Sequence, residues 1–245
     1  MVGLTGEHAI WHDVECASYT ADLPLWRELA EQARGPLLDI GCGTGRVALD
    51  LAGRGHDVTG LDSEPELVRA LAARARERGL RVRAEVGDAR AFDLGGRRFS
   101  LAVAPMQVVQ LLDGPQGRAR MLACVRRHLL PGGVLAAAIA DPLEDVSADD
   151  ALPPLPDVRE QGGWVYSSMP VAVRVQERST AIDRLRQAVS PGGELAETLA
   201  TIELDRVVPD ELEDSARKAG FRVHPRRQVP PTDDYVGSAV VILAA

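Results

Sequence analysis

The stretch that most constrains the fold is Leu37-Leu38-Asp39-Ile40 followed by Gly41-Cys42-Gly43-Thr44-Gly45. The short apolar run reads as a buried strand, the alternating glycines as a tight turn, and the pattern after Gly45, through Leu49 to Gly53, as a helix. Strand, glycine turn and helix form a ligand-cradling unit, because backbone N–H groups at a helix N-terminus face whatever the turn admits. The alternation continues along the chain. Strands are predicted at Asp57 to Leu61, Val82 to Val86, Phe99 to Ala104 and Val134 to Ala140, with helices through Pro65 to Ala75 and from Gly117 to Leu130. Apolar strands separated by helices imply an α/β fold whose parallel sheet is covered on both faces. With 245 residues and 45% hydrophobic content, the chain can bury one such core and carry an insertion.

The pattern changes after Ala140. Asp141 to Asp157 is acidic and proline-rich and reads as a loop. Val165 to Glu177, Ser179 to Val189 and Glu194 to Val208 alternate like exposed strands, giving an antiparallel meander of about three strands over the main sheet. A helix at Pro209 to Ala219 and strands at Phe221 to Val223 and Val236 to Leu243 follow. The divisions expected are 1–35, an N-terminal helical cap; 36–140, a cofactor-binding core; 141–208, the loop and meander; and 209–245, a helix with the last two core strands.

Three acids follow three consecutive predicted strands: Asp39, Asp62 and Asp88. Ligands of open α/β sheets bind at that edge. The glycines fall as G-x-G-x-G with Arg46 in the sixth place, unlike the G-x-G-x-x-G of nicotinamide enzymes. A carboxylate at Asp39 would repel a pyrophosphate and attract an ammonium, so S-adenosylmethionine fits better than a dinucleotide. Asp62, about 20 residues past the first glycine, can accept from a ribose diol, and also reads as the N-cap of the next helix. Asp88 can accept from an adenine amino group beside the Ala89 N–H, or serve an ordinary strand-end turn.

Taken together, Leu38 to Gly45, Val58-Thr59-Gly60-Leu61-Asp62, Gly87-Asp88-Ala89 and Leu129-Leu130-Pro131-Gly132-Gly133 make the chain resemble the class I S-adenosylmethionine-dependent methyltransferases over Pro36 to Ala140 and Pro209 to Leu243. That resemblance implies a Rossmann-like sheet of seven strands in the order 3-2-1-4-5-7-6, strand 7 antiparallel, with helices on both faces and a small antiparallel β insert. It places the cofactor at Tyr19, Asp39, Gly41, Cys42, Gly43, Asp62, Ser63, Asp88, Ala89, Pro105 and Met106. The meander resembles the insert of small-molecule members, which roofs the substrate pocket or builds a dimer contact, so a homodimer is one expectation.

Methyl transfer from a sulfonium is an in-line displacement that needs neither metal nor covalent intermediate. Positioning alone supplies on the order of 7–11 kcal/mol. Ala104-Pro105-Met106-Gln107 lacks the N-P-P-Y pattern of amino-methylating relatives. Tyr19, His12 and Gln107 are the catalytic candidates, Arg27 is a candidate partner for the cofactor carboxylate, and His56, His128 and His224 read as structural. His8, His12 and Cys16 recur every four residues and share a helix face, but no fourth ligand has supporting spacing, so no metal is expected.

A formal net charge of -8 argues against nucleic acid as a bulk partner. Three unpaired-looking cysteines and the absence of a signal-peptide pattern or an 18-residue apolar run predict a reduced, cytoplasmic protein with no membrane segment. The reading is methylation of an O or N atom of a small molecule, with a secondary metabolite favoured. The alternatives are a methyltransferase acting on protein or RNA, a cofactor binder that does not methylate, such as one steering a cyclisation, and a nicotinamide enzyme.

Overall fold

A computed structural model describes residues 7–140, 155–232 and 235–245. The acidic segment expected as a loop therefore lies outside the described residues over 141–154.

The chain opens with helices α1 (Glu7–Cys16) and α2 (Leu23–Gln32). The core then runs β1 (Leu37–Ile40), α3 (Arg46–Gly53), β2 (Val58–Asp62), α4 (Pro65–Glu77), β3 (Val82–Val86), β4 (Phe99–Ala104), a short 3-10 turn (Val108–Leu111), α5 (Gly114–His128) and β5 (Leu129–Ala140). The insert follows as β6 (Asp157–Gln161), β7 (Trp164–Val175), β8 (Ser179–Val189) and β9 (Leu195–Asp205). The chain returns to the core with α6 (Pro209–Lys218), β10 (Arg222–Val229) and β11 (Ser238–Ala244).

The main sheet has seven strands in the order β3-β2-β1-β4-β5-β11-β10, with β11 antiparallel to both of its neighbours. This is the strand order and sense that the resemblance implied. Each face is covered by a separate apolar cluster. Trp26, Leu51, Leu71 and Val103 pack on the side of α2, α3 and α4, and Phe99, Met121, Leu135 and Leu212 on the side of α5 and α6. Proline in the first turn starts α4 and α6, where its missing N–H costs nothing.

Three elements depart from the sequence reading. The insert is a four-stranded antiparallel sheet, β6-β7-β8-β9, not three strands. β6 is mostly polar and pairs only with β7, so it carries no apolar pattern; its signature is the two-residue Gly162-Gly163 loop, with φ of 61° and 79°, that closes a hairpin. β5 begins at Leu129, so Pro131-Gly132-Gly133 lies inside the strand rather than before it. β10 continues past Val223 to Val229, crossing Pro225 through a bulge between His224 and Arg227.

α1 lies between core and insert and is tied to both. Buried Asp13 accepts from Thr44 Oγ1 at 2.7 Å, from Arg74 Nη1 at 2.9 Å and from Arg74 Nη2. Glu15 accepts from Ser168 Oγ at 2.8 Å and, on both oxygens, from Arg186 at 2.7 and 2.9 Å. Trp11 meets Tyr166 edge-on with ring centroids 5.5 Å apart. The far end of the insert is stitched to the core at Asp205, which accepts from Gly114 N at 2.7 Å and Arg118 Nη1 at 2.5 Å.

Burial pushes the Asp13 carboxyl up, but the hydrogen bonds from Arg74 and Thr44 outweigh it and hold the group below its usual 3.8. A carboxyl lowered on folding adds stability above its unfolded pKa and loses it as pH falls through the folded one. Asp13→Asn is expected to speed amide exchange of α1 roughly thirtyfold at neutral pH, the equivalent of about 2 kcal/mol, with β1, β4 and β5 unchanged. In the wild type, α1 should loosen only below pH 3.8.

Candidate active site

The site is built where β1 ends. Asp39 pairs with Gly60 on one side and Val103 on the other, in the middle of the sheet, and is 1% exposed. Neither carboxylate oxygen meets a donor at good hydrogen-bond geometry, though the Ala48 N–H in the first turn of α3 lies close enough to favour the charged form. Burial pushes its carboxyl up to about 7, with Arg46 pulling the other way. A buried carboxylate without a partner costs free energy in the ligand-free fold.

The turn after Asp39 brings backbone against side chains. Gly43 has φ of 54°, and a Cβ there would fall inside the His12 imidazole, nearest Nε2. The Gly43 N–H donates to Asp62 Oδ2 at 2.8 Å, and the Glu64 N–H to Asp62 Oδ1 at 3.0 Å. Asp62 thus braces the turn against the start of α4. The N-cap role expected of it belongs to Glu64, whose side chain accepts from Glu66 N.

Two cavities flank Gly41. One, of about 330 Å³, is lined by Asp39, Cys42, Arg46, Pro105, Met106 and Gln107 from the core, by His8, His12 and Cys16 from α1, and by Arg186 and Ile202 from the insert. The other, of about 300 Å³, is lined by Asp62, Ser63, Asp88, Ala89 and Arg90. His12, Gly41, Leu67, Val108 and Leu111 line both. At the end of β4, Met106 holds a left-handed φ of 55°, a strained conformation at the cavity wall. Two insert residues in the wall make the insert a roof over the first cavity.

Most of the expected cofactor residues meet here. His8, His12 and Cys16 do share one helix face, and that face is a cavity wall. Tyr19 lines neither cavity. Its ring packs against Tyr235, with centroids 4.8 Å apart, and under the Arg46 guanidinium, 5.1 Å from the ring centre. Arg27 is likewise away from the site, bound to Asp50 at 2.7 and 2.9 Å. Asp88 lies in the second cavity but is not free: Arg90 donates to both oxygens at 2.8 to 3.0 Å and holds the carboxyl below its ordinary value. His128 is structural, its Nδ1 2.9 Å from the Cys124 carbonyl. The sequence reading missed Trp11, Asp13, Thr44 and Glu15. A signal was present in the acids interleaved with His8 and His12 on α1, which point to a helix bound by charge on two sides.

This sheet order, glycine turn and row of acids define the fold of class I S-adenosylmethionine-dependent methyltransferases. Residues 37–133 match the family model described as a methyltransferase domain. The ubiquinone biosynthesis O-methyltransferase of Methylobacterium nodulans is 36% identical over 102 residues, which are 42% of this chain and 39% of that protein. The likeness thus spans about two-fifths of that relative's length. A crystal structure of an S-adenosylmethionine-dependent methyltransferase from Clostridium acetobutylicum superposes with a TM-score of 0.74 at 13% identity, covering 96% of each chain. SAM-bound CalS10, an amino pentose methyltransferase from Micromonospora echinaspora involved in calicheamicin biosynthesis, gives 0.70 at 20% identity and again 96% of each chain. These two likenesses extend the shared fold through the insert. No helix among the described residues is long and apolar enough to cross a membrane.

Gly43→Ala is expected to push His12 and α1 off the turn, at a cost of about 1–3 kcal/mol in urea unfolding. Trp11 fluorescence should shift with it. An unchanged emission spectrum and an unchanged urea midpoint would show that α1 does not rest on this glycine.

Proposed function

We propose that the chain binds S-adenosylmethionine across the two cavities and methylates an oxygen or nitrogen of a small molecule held under the insert. The observation that carries the reading is Asp39, a carboxylate buried at the first cavity with no side-chain donor on either oxygen. The amino-acid tail of the ligand brings an ammonium to it. Arg46 is held by Asp22 at 2.6 and 2.8 Å and lines the same cavity, so its remaining N–H groups can meet the tail carboxylate. Asp62 keeps a second lone pair on each oxygen for ribose hydroxyls, and Ala89 frames the adenine beside the Asp88–Arg90 pair.

When bound, the sulfonium supplies an electrophilic methyl with a neutral thioether as leaving group. The protein's share is to hold the acceptor in line behind that methyl and to exclude water, the work of α1, the β4 end and the roof. A small acceptor is supported by the size of the first cavity, about 330 Å³, and by the names of the relatives, one an O-methyltransferase and one an amino pentose methyltransferase. A secondary metabolite in the cytoplasm is the finer form of this reading. The net charge of -8 speaks against an RNA acceptor.

Calorimetric titration tests the binding. Ionised Asp39 attracts the ammonium, and the ionised fraction is lost as pH falls below about 7. The dissociation constant for S-adenosylmethionine should therefore rise toward tenfold per pH unit below that value. NADH should not bind. Labelled methyl should pass to small hydroxyl- or amine-bearing acceptors, and failure to bind S-adenosylmethionine at any pH would refute the proposal.

A further inference from the structure

The sulfonium of S-adenosylmethionine is the atom that joins its nucleoside half to its amino-acid half. If the second cavity holds the former and the first the latter, as proposed above, residues lining both mark the place of the reacting methyl. Of these five, His12, Gly41, Leu67, Val108 and Leu111, only His12 carries a group that takes up a proton near neutral pH.

Its hydrogen bonds fix which nitrogen is free. Thr44 Oγ1 gives its one hydrogen to Asp13 at 2.7 Å. It therefore faces His12 Nδ1, 3.4 Å away, with a lone pair, and this contact favours the Nδ1–H tautomer. That leaves Nε2 with a bare lone pair, and Nε2 makes no hydrogen bond among the described residues, resting over Gly43 at the seam between the cavities. Asp13 is anchored in turn by Arg74, so Arg74, Asp13, Thr44 and His12 form one chain that orients the ring.

We propose that His12 is the general base of this site and that the acceptor is accordingly a hydroxyl. The inference rests on the functional reading above. As the oxygen–carbon bond forms, the carbon–sulfur bond of the sulfonium donor breaks with its electron pair on sulfur, and the hydroxyl proton passes to Nε2. A methyl ether, a neutral thioether and an imidazolium result, with one positive charge before and after. An amine nucleophile already holds its lone pair free when neutral; a hydroxyl of high pKa is the acceptor that gains from a base. Burial lowers the His12 pKa from 6.5 and so keeps the ring neutral and ready. Asp13 and Glu15 on α1 and Asp62 at the end of β2 favour the imidazolium as it forms, and Arg74 on α4 opposes it.

The test has two arms. In the first, protein labelled with nitrogen-15 histidine is followed by NMR, with His12→Gln to assign the signals. The free protein should show His12 as the Nδ1–H tautomer, titrating below 6.5. S-adenosylmethionine and S-adenosylhomocysteine differ by one methyl and one positive charge, so the His12 pKa should lie about one unit lower in the sulfonium complex. An Nε2–H tautomer, or the same pKa in both complexes, would overturn the proposal. In the second arm, methyl transfer is measured to catechol and phenol and to aniline and glucosamine. Label should enter the hydroxyl probes, and His12→Gln should lower that rate about a hundredfold or more and remove the acidic limb of kcat, with donor affinity retained. Label entering only amine nitrogens, at a rate indifferent to His12, would overturn it. If neither adenosyl ligand binds the wild-type protein, the donor site itself is wrong, a failure separate from these.

Discussion

A carboxylate sits in the middle of the main sheet with no side chain bonded to it. Asp39 is enclosed by β2 and β4 on either side and by the first glycine turn ahead of it, and neither oxygen is hydrogen-bonded to a side chain. Such a group does not stabilise a fold by itself. Its raised pKa means that the ligand-free protein loses stability as pH climbs from the unfolded value of 3.8 toward about 7, because the native state binds the extra proton in that interval. The surrounding core carries that cost. The placement makes sense as a charge kept in reserve for a cation, and the glycines, the cavity and Arg46 all converge on the same point.

A second set of charges holds the site together. Asp13 and Glu15 lie two residues apart on α1; Asp13 is held by the glycine turn and α4, with Arg159 of β6 3.5 Å away, and Glu15 is held by the insert. One short helix therefore couples two sheets that share no strand. The helix carries His12 between these two anchors, so the ring that seals Gly43 is positioned by partners from both halves of the molecule. The first cavity exists only while α1 is in place, because core, helix and insert each supply part of its wall.

How much of this was legible follows from where each signal lives. The core strands are apolar on both faces, so Leu37–Ile40, Phe99–Ala104 and β5 announce themselves in composition alone. The glycines were readable because the turn after β1 needs left-handed backbone at Gly41, Gly43 and Gly45, and the acids because each stands at or near a strand's carboxyl end. The order of the strands came from the resemblance, not from any pattern in the residues. β6 was invisible because an edge strand of Asp-Val-Arg-Glu-Gln buries little. Arg90 beside Asp88 and Asp22 beside Arg46 were unreadable for another reason: ion pairs depend on where turns bring side chains, and sequence spacing does not encode that. Tyr19 was drawn to the site by its position before β1, whereas its ring is committed to Tyr235 and Arg46.

The central claim is that Asp39 waits protonated or unpartnered for an ammonium. Proton release measures it most directly. Calorimetric binding of S-adenosylmethionine in buffers of differing ionisation enthalpy, at a pH near 7, should release roughly half a proton per site, since Asp39 is about half protonated there and ionises on meeting the ligand. Asp39→Asn should fold at least as stably as the wild type, bind far more weakly and release none. Equal affinity and equal proton release in the two proteins would contradict the account.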